Sequence, residues 1–165
     1  MKRLSTNRSL ALLIGALVLA DWVSKVWVVN RMAIGESMTV VDGLLYFVHR
    51  QNPGVAFSLF AELPDVVRVP ALSALSLVGI VLFTNLLRAT PDRPARIAAA
   101  AVIAGALGNL GDRLLTGGVT DFVLLAFFPF IFNLADAAIT LGGSVLALRL
   151  FRGAGEVALS SSGSS

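Results

Sequence analysis

The chain contains no cysteine and only one histidine, His49. Disulfides, thiol nucleophiles and Cys-ligated metals are therefore excluded, and one histidine cannot assemble the usual zinc site. A Ser-His-Asp triad would have to be built on His49, and no serine sits in a nucleophile-elbow context. Charge is also scarce: Asp, Glu, Lys and Arg make up 14% of residues, against about a quarter in an average soluble domain.

The 165 residues are instead largely apolar, with 56% hydrophobic residues and a mean hydropathy of +0.84. The apolar residues fall into four long blocks, 9–29, 66–87, 97–115 and 132–151. Each is near the ~20 residues that cross a bilayer as a helix. The expected fold class is an all-α membrane protein with four transmembrane helices. Lys2, Arg3 and Arg8 precede the first block as in a secretory signal, but no small-residue cleavage pattern closes it and Asp21 and Lys25 interrupt its far end. It reads as a retained helix.

Eight of the thirteen basic residues lie in the N-terminal tail (Lys2, Arg3, Arg8), the 88–96 link (Arg88, Arg93, Arg96) and the C-terminal end (Arg149, Arg152). Basic residues favour the cytoplasmic side, so both termini are expected there. The net charge of +3 comes from arginines at helix ends and not from a basic face, so nucleic acid is not an expected partner.

Between the first two spans, "SMTVVDGLLYFVHRQNPGVAF" has β-branched and aromatic runs split by Gly43 and by Asn52-Pro53-Gly54. It predicts short strands forming a small sheet or cradle on the outer membrane surface. The link "RATPDRPAR" reads as a cytoplasmic turn, since Pro91 and Pro94 do not fit a regular helix interior. Residues 1–152 form one integral membrane domain, and 153–165, ending in "SSSGSS", have the composition of a disordered cytoplasmic tail. Trp22 and Trp27, toward the outer end of the first helix, read as interfacial anchors.

In this topology the polar residues of the spans share one depth, near the outer surface. Asp21 and Lys25 come from the first helix, Asn109, Asp112 and Arg113 from the third, and Asn133 and Asp136 from the start of the fourth. Asp121 lies in the connection between the last two helices, and Asn52 in the outer loop. Ionisable groups inside spans are costly and usually face a bundle interior. A purely structural reading accounts for several of them: Asp21 and Lys25, like Asn109 and Arg113, are i, i+4 pairs, Asn133 suits a helix cap, and Asp136 suits a helix N-terminus.

That reading leaves Asp121 unexplained. It lies fifteen residues before Asp136, across an apolar stretch with Pro129 in its middle and no basic residue. A chain that dips to the bilayer surface and turns near Pro129 could bring the two carboxylates face to face. Such a pair holds one proton over a wide pH range and titrates as a unit. One member can then activate a water while the other protonates a leaving amide nitrogen. Lys25 with Ser58 offers a Ser-Lys alternative. A small transporter or proton-conducting protein is a rival of another class, but the inner halves of the helices lack the ionisable groups a relay needs. A non-enzymatic scaffold would leave the two aspartates without a purpose.

The ordered set "DWVSK" (21–25), "NPGVAFS" (52–58), "GNLGDR" (108–113), "VTDF" (119–122) and "FNLADAAI" (132–139) resembles the lipoprotein signal peptidases, also called signal peptidase II. The pieces span most of the chain from the first helix to the fourth. The resemblance implies an aspartic endopeptidase of the bacterial inner membrane, with four transmembrane helices, a periplasmic β-cradle and a short periplasmic helix. It implies Asp121 and Asp136 as the catalytic pair. Asn52, Gly54, Asn109, Arg113 and Asn133 would shape the pocket and hold the substrate, with Asp21, Lys25 and Asp112 bracing it. The implied substrates are diacylglyceryl-modified prolipoproteins, cut just before the lipidated cysteine with no metal or organic cofactor. The chain is expected to work as a monomer among membrane lipids, and Phe57, Phe60 and the 127–132 aromatics read either as a lid or clamp or as ordinary lipid-facing surface.

Overall fold

The computed structural model describes the backbone of residues 2–54 and 63–162, with side chains over 7–54 and 63–152. The elements run α1 (Lys2–Arg31), β1 (Ser37–Val41), β2 (Leu45–Asn52), α2 (Asp65–Ala89), α3 (Arg93–Thr116), β3 (Val119–Leu125), β4 (Ile131–Phe132) and α4 (Leu134–Ser162). Four stretches, Asn7–Arg31, Asp65–Ala89, Arg93–Thr116 and Leu134–Arg152, are long and apolar enough to cross a membrane. Among the described residues there is no further short helix. Residues 55–62, which include Phe57, Ser58 and Phe60, lie outside the described set.

The bundle is organised around α3. Its sequence is rich in Ala and Gly, and most of it is buried, whereas the other three spans expose long apolar side chains such as Leu12, Leu75, Leu82 and Leu148. Helix association inside lipid rests on close packing of small residues and not on the hydrophobic effect. The contact between α3 and α4 shows how close the backbones come. A Cβ on Gly105 would stand 2.3 Å from the Ala135 carbonyl oxygen, and one on Gly142 would stand 2.6 Å from that of Ala98.

Two details differ from the sequence reading. Pro94 lies inside α3, in its first turn, where no intrahelical N–H is required. Asp92 caps that helix, its Oδ2 accepting the N–H of Ala95 at 3.3 Å. Helical backbone also continues through α4 to Ser162, into the segment whose Ser and Gly content suggests an unstructured tail, because 153–159, "GAGEVAL", holds several helix-compatible residues.

The strands form one antiparallel sheet of order β1-β2-β3-β4 at the end of the bundle where α1 and α3 finish and α2 and α4 begin. β1 and β2 are the strands expected from "SMTVV" and "LYFVHRQN". β3 and β4 replace the surface-dipping loop expected between Asp121 and Asn133, and Pro129 lies in the turn joining them. The sheet is fixed to α1 by Phe47, packed edge-on between Trp27 (5.9 Å) and Phe122 (5.8 Å). His49 adds a second tie, its Nδ1 lying 2.9 Å from the Met32 carbonyl oxygen.

Candidate active site

α3 ends where Gly117 takes the left-handed conformation (φ 77°) and its N–H returns to the Arg113 carbonyl. Glycine tolerates that geometry, so the chain turns sharply into β3. β3 pairs with β2 in a register that sets Val119 opposite Asn52 and Asp121 opposite Arg50. Asn52 is thereby within reach of Asp121. Its side-chain oxygen accepts the N–H of Gly54 at 3.0 Å, and its Nδ2 donates to Asp121 Oδ2 at 2.9 Å.

β4 ends at Phe132, which the sequence reading had placed in the last helix, and Asn133 caps α4. The Asn133 side-chain oxygen accepts the N–H of Asp136 at 2.9 Å, and Asp136 Oδ2 accepts the N–H of Asn133 at 3.3 Å. This is a reciprocal capping box with aspartate in the third helical position. The cap leaves the Asn133 Nδ2 free to reach across and donate to Asp121 Oδ1 at 2.7 Å. Asn109, one turn before Arg113 on α3, donates from Nδ2 to Asp136 Oδ1 at 2.8 Å.

All four carboxylate oxygens of Asp121 and Asp136 thus accept from a neutral amide donor. Among the described residues neither carboxylate lies in an ion pair. Of the two nearby cations, Lys25 is engaged elsewhere: its Nζ lies 2.7 Å from Asp21, 3.2 Å from Asp112 and 3.1 Å from Asn109 Oδ1. Asp21 also accepts the N–H of Ala135 at 2.9 Å, and Asp112 that of Thr120 at 2.9 Å. The buried ion cluster therefore grips the backbone just beside each aspartate. Arg113 is buried between α3 and α2, where its Nη1 donates to the Asn109 carbonyl and to Ser76 Oγ, both at 3.4 Å.

Asp121 is 3% exposed. Burial and then the charge of Asp136 push its carboxyl up to about 6, against weaker opposing effects of the Asn52 and Asn133 hydrogen bonds and the Lys25 charge. Two carboxylates held this way are suited to sharing a proton.

Among the described residues the structure brings together Asp21, Lys25, Asn52, Gly54, Asn109, Asp112, Arg113, Asp121, Asn133 and Asp136, whereas Phe57, Ser58 and Phe60 lie outside the described set. Phe127, Phe128 and Phe130 are exposed on the β3–β4 turn, and Phe128 clusters with Phe130 (5.4 Å) and Phe132 (5.9 Å). Sequence reasoning missed the backbone of Thr120 and Ala135, and Ser76, whose hydroxyl inside an apolar span was the one available signal. It also missed why Gly108 is glycine: a Cβ there would stand 2.5 Å from Asp21 Oδ2.

The chain is similar over 87% of its length to a bacterial membrane enzyme solved by the in meso method at 2.3 Å, with a TM-score of 0.80, 26% identity and 88% of that chain covered. A second such structure, at 1.9 Å, gives a TM-score of 0.78 at 25% identity and covers 86% and 92% of the two chains. Among curated relatives, the lipoprotein signal peptidase of Moorella thermoacetica is 39% identical over 147 residues, covering 88% of this chain and 95% of the relative. That of Halalkalibacterium halodurans is 34% identical, covering 82% and 87%. Fold, site and relatives together define a multi-pass bacterial membrane peptidase. Residues 13–152 match the family described as signal peptidase (SPase) II, and the chain belongs to that family.

Proposed function

We propose that this chain removes signal peptides from prolipoproteins by an aspartic mechanism in which Asp121 and Asp136 act together. The observation that carries the reading is the set of neutral donors around the pair: every carboxylate oxygen accepts a hydrogen bond from an amide, and among the described residues neither carboxylate is in an ion pair. Ionising both would place two negative charges in a buried site, so below about pH 6 the pair retains one proton, with Asp121 as its holder.

In the reaction Asp136 takes a proton from a water, and the hydroxyl oxygen forms a bond to the scissile carbonyl carbon. Asp121 gives its proton to the carbonyl oxygen. Collapse of the resulting diol breaks the C–N bond as the amide nitrogen takes the proton from Asp136 and a diol hydroxyl returns one to Asp121, yielding a carboxylic acid and a free amine. Lys25 acts through Asn109, since its ammonium holds Asn109 Oδ1 and so turns Nδ2 toward Asp136. Arg113 and Asn52 stand at the edge of the pair, where they can hold substrate backbone, and Gly54 fixes the Asn52 turn.

The substrate is a prolipoprotein whose cysteine carries a diacylglyceryl group, and the cut falls just before that residue. Its acyl chains remain in the bilayer while the scissile bond meets the dyad at the end of the bundle bearing the sheet. That end faces the periplasm, both termini face the cytoplasm, and the unit is a monomer. The relay alternative gains no support: every buried ionisable side chain among the described residues lies at this one end. In the Ser-Lys alternative, Lys25 would have to leave two carboxylates, and Ser58 lies outside the described residues.

The test uses purified protein in detergent with a diacylglyceryl-modified prolipoprotein, EDTA and mass spectrometry of the products. A mature protein beginning at the lipidated cysteine is expected, with no cleavage of the unlipidated precursor. Cleavage elsewhere, or equal cleavage of both precursors, would overturn the substrate assignment.

A further inference from the structure

At the end of the bundle opposite Asp121 and Asp136, α1 and α2 each pack on α3 but hardly touch one another. The gap is a cavity of about 550 Å³, with apolar walls that include Leu10, Ile14 and Ile103. Its mouth is polar and carries Arg88 from the end of α2, Arg96 from the start of α3, and Asn7 from α1. Its volume is in the range of sites that bind small ligands.

The charge at this mouth is unbalanced. The neighbouring acid, Asp92, caps α3 and pairs with Arg149 of α4. Among the described residues neither Arg88 nor Arg96 is in an ion pair. Arg96 donates from Nη2 to Asn7 Oδ1 at 2.5 Å, and its buried Nε has no partner among the described residues. Two guanidiniums therefore stand at the end of the spans beside an apolar crevice between α1 and α2. A molecule that satisfies both parts has an anionic head and a hydrocarbon tail, and in a bilayer that molecule is a lipid. Basic pockets between transmembrane helices bind acidic headgroups on the same physical grounds.

We infer that this cavity is a binding site for one anionic phospholipid, its phosphate held by Arg88 and Arg96 and an acyl chain lying between α1 and α2 over Ile103. The lipid supplies the packing that α1 and α2 do not give each other, far from the catalytic end.

Native mass spectrometry of the full chain in detergent, titrated with dioleoylphosphatidylglycerol and dioleoylphosphatidylcholine, tests the site. A preference of about tenfold or more for the anionic lipid is expected, as for two arginines near an acidic headgroup. Arg88→Gln with Arg96→Gln should abolish the preference. Ala11→Trp, which fills the cavity without touching charge, should reduce binding of the anionic lipid to the zwitterionic level. If the double variant does not fold, Arg88→Gln alone and Ala11→Trp carry the comparison. Equal binding of the two lipids by wild type, or a preference that survives Ala11→Trp, would overturn the inference. Displacement of the bound lipid by millimolar inorganic phosphate would also overturn it, marking a free-anion site.

Discussion

The carboxamide of Asn133 accepts the N–H of Asp136 through its oxygen and donates to Asp121 through its nitrogen. One side chain therefore ends a strand-to-helix turn and sets the spacing of the two carboxylates. Asn133→Ser should separate these roles, because serine can cap but is too short to reach Asp121. Its thermal stability should stay within about 1 kcal/mol of an otherwise identical capped helix while cleavage falls steeply. Asn133→Ala, which loses both, should cost about 2 kcal/mol or more. Unfolding in detergent alongside the cleavage assay checks both variants.

Asp121 gives the pH dependence at the same scale. It holds its proton more tightly in the folded chain than a carboxyl at the ordinary value of 3.8. Below that value folded and unfolded chains both keep the proton. Above about 6 neither does, and the folded chain bears the buried charge. Stability should thus decline as pH rises from 3.8 to about 6, by an amount on the order of 2–3 kcal/mol. Asp121→Asn should flatten that stretch of the melting profile. For cleavage, kcat/KM should show an alkaline limb starting near about 6, set by loss of the same proton.

Among the elements, the α3–α4 contact and the Lys25 cluster carry the arrangement. Gly105→Val would drive a side chain into the Ala135 carbonyl and Ile139, displacing the start of α4 and with it Asp136. A loss of about 1–3 kcal/mol is expected from overpacking alone, and a thermal melt measures it. Lys25→Met would leave Asp21 and Asp112 buried without their cation. Removing one partner of a buried pair costs about 3–5 kcal/mol, so this variant should be harmed more than Asp112→Asn.

The elements also show why parts of the site could be read from sequence and parts could not. Charged and amide residues inside apolar blocks stand out in any span, so Asp21, Lys25, Asn109, Arg113 and Asp136 were visible. β1 and β2 were visible through their β-branched runs and the glycine turn. β3 and β4 were not, since "VTDFVLLAFFPFIF" is apolar nearly throughout and lacks the alternation that marks a half-buried strand. The backbone donors Thr120 and Ala135 carry no side-chain signal at all, and only the fold brings them to Asp112 and Asp21.

For the molecule as a whole, the absence of cysteine makes orientation directly testable. Single cysteines at Asp42, in the β1–β2 turn, and at Thr90, between α2 and α3, lie at opposite ends of the bundle. In intact cells an impermeant maleimide should label the first and not the second; the reverse pattern would invert the membrane topology and place the aspartates on the cytoplasmic side. The central claim is that one proton shared by Asp121 and Asp136 drives peptide hydrolysis, and the most direct measurement of it is cleavage of a diacylglyceryl-modified prolipoprotein by purified wild type, Asp121→Asn and Asp136→Asn, each checked for folding by thermal melt. Cleavage is expected by wild type alone, in the presence of a chelator, with all three proteins folded; turnover by either folded variant at a rate near wild type would contradict the shared-proton mechanism.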